Sequence, residues 1–289
     1  MSASIREQLA KASRLLTDAG LQSPRVDAEL LAAYVLDTSR GGVSTYDQFS
    51  TGQAGIFDSL VAARATGVPL QYLLGSAPFR HISLLVGPGV LIPRPETESV
   101  AQQAIEIARE ISREKTATTA CTVVDLGAGT GAIAISVALE APASKVHAVE
   151  LEKDAFVWLA RNVSALAPNV QIVNADVTDA LHELDGVVDI VVANPPYVPT
   201  VEALHSEIAD FEPSVAIWGG SEDGTSVPAL FIAAAARLLR TDGWLICEHS
   251  DTHAAQIEEL MAANFRQVTL HHDLNDRPRW TSGRRRATA

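Results

Sequence analysis

The sequence predicts a doubly wound α/β domain preceded by a small all-helical domain. Three observations carry this. From about residue 99 onward, short β-branched runs alternate with helix-length segments, the order expected of a parallel sheet covered on both faces. Residues 1–75 hold helical patterns only, with cap residues in place. Residues 76–98 are punctuated by proline and glycine and separate the two regions.

In the helical region, Ser2 or Ser4 caps a helix running through Ile5, Leu9, Ala12, Leu15 and Leu16 to a stop at Gly20. Ser23-Pro24 pairs an N-cap with a first-turn proline, and Ala28, Leu31, Ala32 and Val35 form the apolar stripe of a second helix. A third helix is expected over 56–65, ending at Gly67, with a polar glycine-bearing turn at 39–44. In the connector, Phe79, Ile82, Leu84 and Val86 suggest strand, and Gly87-Pro88-Gly89 predicts the turn of a hairpin returning through Val90-Leu91-Ile92. Pro93 and Pro95 then stiffen the chain around Arg94 and lead into Glu96-Thr97-Glu98. The expected division is therefore a helical domain over 1–75, a hairpin connector over 76–98 and an α/β domain over 99–289.

Within the α/β domain, strands are expected at 121–126, 145–150, 170–174, 187–193 and 243–248, with helices at 131–140, 153–166, 227–240 and 253–263. Val123-Val124, Ile172-Val173, Ile190-Val191-Val192 and Leu245-Ile246 are apolar without alternation, as strands buried on both faces require. Ligands of such a sheet sit at the carboxyl ends of its strands.

Composition narrows the class. Of 289 residues, 47% are hydrophobic and 20% charged, enough for a packed core. No apolar run has the length of a membrane span and the N-terminus lacks the layout of a signal peptide, so a cytoplasmic protein with no membrane partner is expected. Cys121 and Cys247 each lie in an apolar run and read as buried free thiols. A formal charge of −13 argues against a general nucleic-acid binder, whose affinity comes from lysine and arginine on phosphates. Arg284-Arg285-Arg286, with Arg277 and Arg279 upstream, reads as a solvated basic end.

Two loops carry chemistry. The first strand ends in Asp125-Leu126-Gly127-Ala128-Gly129-Thr130-Gly131 and leads into a helix at Ala132. Three alternate glycines permit a sharp turn and close backbone approach to a ligand at a helix N-terminus. Gly127-x-Gly129-x-x-Ala132 also satisfies the relaxed dinucleotide fingerprint, with Glu150 spaced to hold ribose hydroxyls in either reading. Asp176, after the third strand, either meets an adenine edge or is a solvated loop acid. The glycine loop implies a nucleotide-like cofactor and leaves its identity open.

The fourth strand runs into Asn194-Pro195-Pro196-Tyr197. Asn194 offers a side-chain carbonyl acceptor and Pro195 a backbone one. The consecutive prolines hold both nearly rigid. Two fixed acceptors capture both hydrogens of an –NH2 group, and the Tyr197 ring can lie against a planar amide or base. An amide or exocyclic amine nitrogen is a poor nucleophile because its lone pair is delocalised. Accepting both N–H bonds enriches it and aims the lone pair. Hydride transfer has no such need, so the two loops together imply methyl transfer to a planar nitrogen.

The sequence resembles the bacterial protein-(glutamine-N5) methyltransferases that modify peptide chain release factors, over nearly the whole chain. The resemblance rests on Asp27-Ala28-Glu29-Leu30-Leu31, on Gly67-Val68-Pro69-Leu70-Gln71-Tyr72-Leu73-Leu74-Gly75 and on Val90-Leu91-Ile92-Pro93-Arg94-Pro95-Glu96-Thr97-Glu98. Asp125 to Gly131, Asn194 to Tyr197 and Glu212-Pro213 follow in order. It implies a Rossmann-like class I methyltransferase fold with a seven-stranded mixed sheet. It implies S-adenosyl-L-methionine as cofactor, S-adenosyl-L-homocysteine as product, no metal, and a monomer. Gly127, Ala128, Gly129, Thr130, Gly131, Glu150, Asp176, Val177 and Asn194 would bind the cofactor. Asn194, Pro195 and Tyr197 would be catalytic and, with Pro196, hold the glutamine of the release factor's Gly-Gly-Gln loop. The helical domain would help bind that protein. Glu150 stands where aspartate is common in the family, and Val177 where a bulky residue often sits beside the adenine.

Two other readings stay in view: adenine-N6 methylation of DNA or RNA, which the same four-residue loop could serve, and a catalytically inactive adaptor that binds a translation partner. His249 with His253, and His271-His272, lack a matching third metal ligand and read as solvated polar residues. No strand-to-helix nucleophile elbow is present.

Overall fold

The capping of the first helix shows how local chemistry sets the fold. Ser4 accepts from the Glu7 backbone N–H while the Glu7 carboxylate accepts from Ser4, a closed capping box that starts α1 at Ile5–Asp18. The computed structural model describes residues 4–114, 120–202, 206–273 and 275–287. The chain divides into two compact units, Met1–Ser76 with Leu204–Phe211, and Ala77–Ala203 with Glu212–Ala289.

In the first unit, α2 is Pro24–Leu36, α3 Thr51–Ala65 and α4 Leu70–Leu74, with a 3-10 turn at Arg40–Thr45. α3 starts five residues before the expected 56, because Ser50 and Gln53 form a second capping box. Leu16, Leu31 and Phe57 are fully enclosed, and Phe57 stacks on Phe49 with centroids 4.9 Å apart. Each such side chain contributes roughly 1.5–3 kcal/mol of burial. Arg64 reaches the buried Asp27 carboxylate at 2.8 Å, so the acid in the Asp27-Ala28-Glu29 motif is a packing element of this unit.

The second unit opens with a two-stranded sheet of β1 (Ser76–Phe79) and β2 (Ile82–Leu85). Its turn is at Arg80, which takes a left-handed φ of 50°, and not at Gly87-Pro88-Gly89. Those glycines serve a close approach instead: a Cβ on Gly87 would stand 2.4 Å from the Trp158 ring. Next comes α5, Thr97–Glu114, which already starts within the stretch expected as connector.

The main sheet contains β3 (Thr122–Leu126), β4 (Lys145–Glu150), β5 (Gln171–Asn174), β6 (Val188–Ala193), β7 (Leu239–Glu248), β8 (Phe265–His272) and β9 (Pro278–Arg285). Their order is β5-β4-β3-β6-β7-β9-β8; the first five are parallel and β9 runs antiparallel to both β7 and β8. This is a seven-stranded mixed sheet of the doubly wound class. Helices α6 (Ala132–Glu140), α7 (Lys153–Leu166), α9 (Ser226–Leu238) and α10 (Ala254–Ala262) connect the strands, and α8 is Ser206–Phe211. Alternate residues of one strand enter opposite cores: Val123, Ile190 and Val192 one, Val124, Val191 and Ala193 the other. That double burial explains their unbroken apolar runs. Cys121 and Cys247 are buried free thiols.

The C-terminal arginines are fasteners, not a solvated end. Arg284 lies over the Trp244 ring at 5.0 Å, Arg285 donates to the Ala236 carbonyl at 2.7 Å and Arg286 to that of Phe265 at 2.7 Å. His249 bonds to the Ser250 carbonyl and Thr281 hydroxyl, and His271 stacks on Trp280 at 3.6 Å, so these histidines pack within the fold. Among the described residues, no helix is long and apolar enough to cross a membrane, and no group of three His, Cys, Asp or Glu side chains is placed to hold a metal.

Candidate functional site

The strand order reverses between β3 and β6, the place where doubly wound sheets leave a crevice at their carboxyl ends. Register pairs Leu126 with Ala193, and Ala193 with Cys247. Gly127, Asn194 and Glu248 therefore follow paired residues on three neighbouring strands. They surround one end of a cavity of about 460 Å³, within the range of small-molecule sites.

Gly127, Gly129 and Gly131 all have left-handed φ, at 70°, 55° and 84°. Their surroundings differ. A Cβ on Gly127 would lie 2.9 Å from Phe231, and one on Gly131 2.8 Å from Leu159, so these two are small because the protein packs on them. At Gly129 the nearest atom to such a Cβ is Val90 Cγ2 at 4.0 Å. Its bare backbone faces the cavity. Behind the loop, the buried Asn162 amide of α7 donates to the carbonyls of Thr130 and Leu85, tying the glycine loop to the end of β2.

Three acids stand at successive strand ends. Asp125 is fully enclosed; burial raises its pKa to about 8, Oδ2 accepts from the Ala134 N–H at 3.0 Å, and Oδ1 has no partner. Glu150 accepts from the Gly129 and Glu152 N–H groups at 2.7 and 2.9 Å, and burial raises its pKa against those bonds. Asp176, exposed, accepts from the Thr178 N–H and hydroxyl, which lower its pKa. Val177 is buried and lines the cavity beside it. A nucleoside cofactor fits this donor set. Open backbone at Gly129 allows close approach, Glu150 supplies a carboxylate for ribose hydroxyls, and Asp176 with Val177 bounds the far end.

On the other side of the switch point, Asn194 and Pro196 line the cavity, whereas Pro195 is buried and Tyr197 turns its hydroxyl away. The Asn194 Nδ2 donates to Thr97 Oγ1 at 3.2 Å, which leaves the Oδ1 acceptor for the cavity. The Tyr197 hydroxyl donates to Glu248 Oε1 at 3.4 Å, and burial together with that acid raises the phenol pKa. Backbone bonds hold the loop from behind: Val198 N–H to the Ile217 carbonyl and Gly219 N–H to that of Val198, both 2.9 Å. A Cβ at Gly224 would fall 2.4 Å from the Tyr197 carbonyl oxygen, so this later glycine stretch is the bed of the loop. The connector is anchored by Glu212, whose carboxylate takes the Arg94 guanidinium at 2.6 Å and the Ile92 N–H at 3.1 Å.

The structure thus gathers Gly127, Ala128, Gly129, Thr130, Glu150, Asp176, Val177, Asn194 and Pro196 around one cavity, while Gly131, Pro195 and Tyr197 do not line it. Asp125 and Thr97 line it as well and were not singled out from the sequence, and Glu248 lies just behind. A signal existed for two of them: Asp125 and Glu248 are lone acids closing apolar runs, the same pattern that pointed to Glu150.

Comparison with known proteins agrees with this geometry. Residues 7–75 match the PrmC N-terminal domain and residues 103–210 the methyltransferase small domain. A release factor glutamine methyltransferase of Mycolicibacterium smegmatis is 42% identical over 285 residues, spanning 97% of this chain and 98% of that one. The corresponding proteins of Streptomyces coelicolor and Bifidobacterium longum are 40% and 39% identical, each over 96% of this chain and at least 97% of their own.

Proposed function

The chain belongs to the release factor glutamine methyltransferase family, and from that premise we propose that it methylates the side-chain amide nitrogen of the Gly-Gly-Gln glutamine in peptide chain release factors. One observation carries the reading. The Asn194 amide has its donor end engaged by Thr97 and its acceptor end left to a cavity whose opposite wall is the glycine loop.

S-adenosyl-L-methionine supplies an electrophilic, sulfonium-bound methyl group when bound. The open backbone of Gly129 with Ala128 and Thr130 accommodates it, Glu150 holds the ribose hydroxyls, and Asp176 with Val177 borders the adenine. Gly127 and Gly131 shape the loop from within. Asn194 Oδ1 and the Pro195 carbonyl accept the two amide hydrogens of the glutamine. That enriches the nitrogen, and Pro195 and Pro196 keep both acceptors aimed without reorganisation. Holding the nitrogen in line and excluding water supply much of the rate. No strong base is required, since the proton leaves once the nitrogen has become cationic. Residues 1–75 serve release-factor recognition, 76–98 link them to the catalytic domain, and 99–289 carry the chemistry.

The test is methylation of a purified release factor, with peptide mass spectrometry to locate the methyl group and duplex DNA as a parallel substrate. One added methyl on the Gly-Gly-Gln glutamine is expected. Methylation of adenine in DNA with none on the release factor would overturn the assignment.

A further inference from the structure

The reading above uses the Asn194 amide in one orientation, Oδ1 toward the cavity. An amide's two ends are nearly the same shape, so something must choose between them. Thr97 alone cannot. Its hydroxyl both donates and accepts, and would serve either end of Asn194 equally well.

The choice is made one residue further back. Glu248 ends β7 and is 1% exposed. It takes the Tyr197 hydroxyl on Oε1 at 3.4 Å, and the Thr97 side chain hydrogen-bonds to the same carboxylate, though Oε2 has no well-formed partner. An ionised carboxylate only accepts. Thr97 must then give its hydroxyl hydrogen to Glu248, so its oxygen can only accept from Asn194. Asn194 must in turn present Nδ2 to Thr97 and Oδ1 to the cavity. We infer that Glu248 is a positioning residue: its carboxylate sets the direction of the Thr97–Asn194 hydrogen bonds and so selects the acceptor face that Asn194 shows to the substrate. The inference rests on the amide-clamp reading of Asn194.

Protonation reverses the logic. A neutral Glu248 can donate to Thr97, whose hydroxyl is then free to donate to Asn194 Oδ1, turning the NH2 end toward the cavity, where it repels a substrate –NH2. Several groups face Glu248. Burial raises its pKa to about 7 and the Glu96 carboxylate pushes the same way, while Thr97, the Arg279 guanidinium of β9 and the Tyr197 hydroxyl push it down. Cys247, its neighbour on β7, has a thiol pushed up to about 12 by burial and by Glu248, and stays neutral. Arg94 acts on Tyr197, and Asp273 lies 3.5 Å from Arg279. The carboxylate therefore changes state in the range where the enzyme would work.

The experiment follows the Asn194 side-chain amide by NMR in full-length protein labelled with 15N-asparagine, using Asn194→Ala to assign the signal. It runs beside kcat on release factor across pH. In the wild type the amide signal should titrate with a midpoint near Glu248's pKa of about 7, and kcat should rise at least tenfold through it. Glu248→Gln keeps the shape but can present a donor or an acceptor to Thr97. It should abolish both inflections and lower kcat at least tenfold, with cofactor affinity within twofold of wild type. Thr97→Val should lose as much and Thr97→Ser should recover most of it; this pair decides the matter if Glu248→Gln does not fold. A folded Glu248→Gln that keeps the wild-type kcat and inflection, or a fully active Thr97→Val, overturns the inference. Titration of Asn194 without any release-factor methylation would instead sink the functional reading and leave the hydrogen-bond relay standing.

Discussion

Substituting Gly129 with alanine separates what this loop does for the fold from what it does for a ligand. Gly129 has a φ of 55°, a conformation in which an L-residue costs about 1–2 kcal/mol. No steric cost is added, because the nearest atom to the new Cβ is 4.0 Å away. At about 2–4 °C per kcal/mol for a unit of this size, the melting temperature should fall by about 2–8 °C. The methyl group, however, occupies the face on which a cofactor must approach the backbone. Its affinity should fall at least tenfold, or about 1.4 kcal/mol. Gly127→Ala is the contrast, since its Cβ would sit 2.9 and 3.1 Å from two carbons of the Phe231 ring. That variant carries the same backbone strain plus an overlap within the protein, and should melt lower still. Scanning fluorimetry gives the melting temperatures and titration calorimetry with S-adenosyl-L-methionine the affinities. A Gly129→Ala protein that binds within twofold of wild type would refute the placement of the cofactor. One that melts as low as Gly127→Ala would refute the account of the open space.

Three further outcomes are expected. Asn194→Ala removes one preorganised partner of the reacting group, so kcat should drop about 10²–10³-fold; the melting temperature should hold, and near-normal turnover would dismiss the amide clamp. Asp125 and Glu248 have folded-state pKa values raised to about 8 and about 7, so the folded chain holds their protons more tightly than the unfolded one. Their stabilising effect is present below the ordinary carboxylate pKa and is lost as pH rises through those values. The melting temperature should thus decline through this range, and Asp125→Asn should flatten the decline; an unchanged slope would deny the burial of that acid its role. Arg64→Met strands the buried Asp27 carboxylate and should cost the helical unit about 3–5 kcal/mol, visible as faster proteolysis there. Adding Asp27→Leu should recover most of that, which a purely surface ion pair would not do.

The doubly wound order was legible in the sequence because strands buried on both faces leave long β-branched runs, and Ile190-Val191-Val192 admits few other structures. The two antiparallel strands at the end were not legible as pattern. β8 spends part of its length at the sheet edge, where Arg266, Gln267 and His272 interrupt the apolar signal, and β9 carries three arginines. The hairpin turn was misplaced for a related reason. Gly87-Pro88-Gly89 has the composition of a turn, yet its glycines answer to Trp158 and Asp154, packing partners far away in sequence. The glycine loop and Asn194 were visible because their chemistry is written in consecutive residues. Thr97 and Glu248 were not, because their significance arises only from register: pairing of Ala193 with Cys247 sets Glu248 beside the loop that follows β6.

That register also explains why so few residues need be unusual for the site to be specific. Asn194, Thr97 and Glu248 come from a strand end, the first residue of α5 and another strand end, and each is held by structure that serves the core anyway. Prolines restrict the backbone of the loop, and Glu212 pins Ile92 and Arg94 just before α5. What remains free is the direction in which hydrogens point along Asn194, Thr97 and Glu248, and rigid backbones cannot decide that. Only a charge can, because a carboxylate cannot donate. A buried acid that is costly to ionise is an odd component for stability alone. As the fixed end of a hydrogen-bond chain leading to a reactive amide it has a reason to be there, and the same cost places its titration where activity can respond to it.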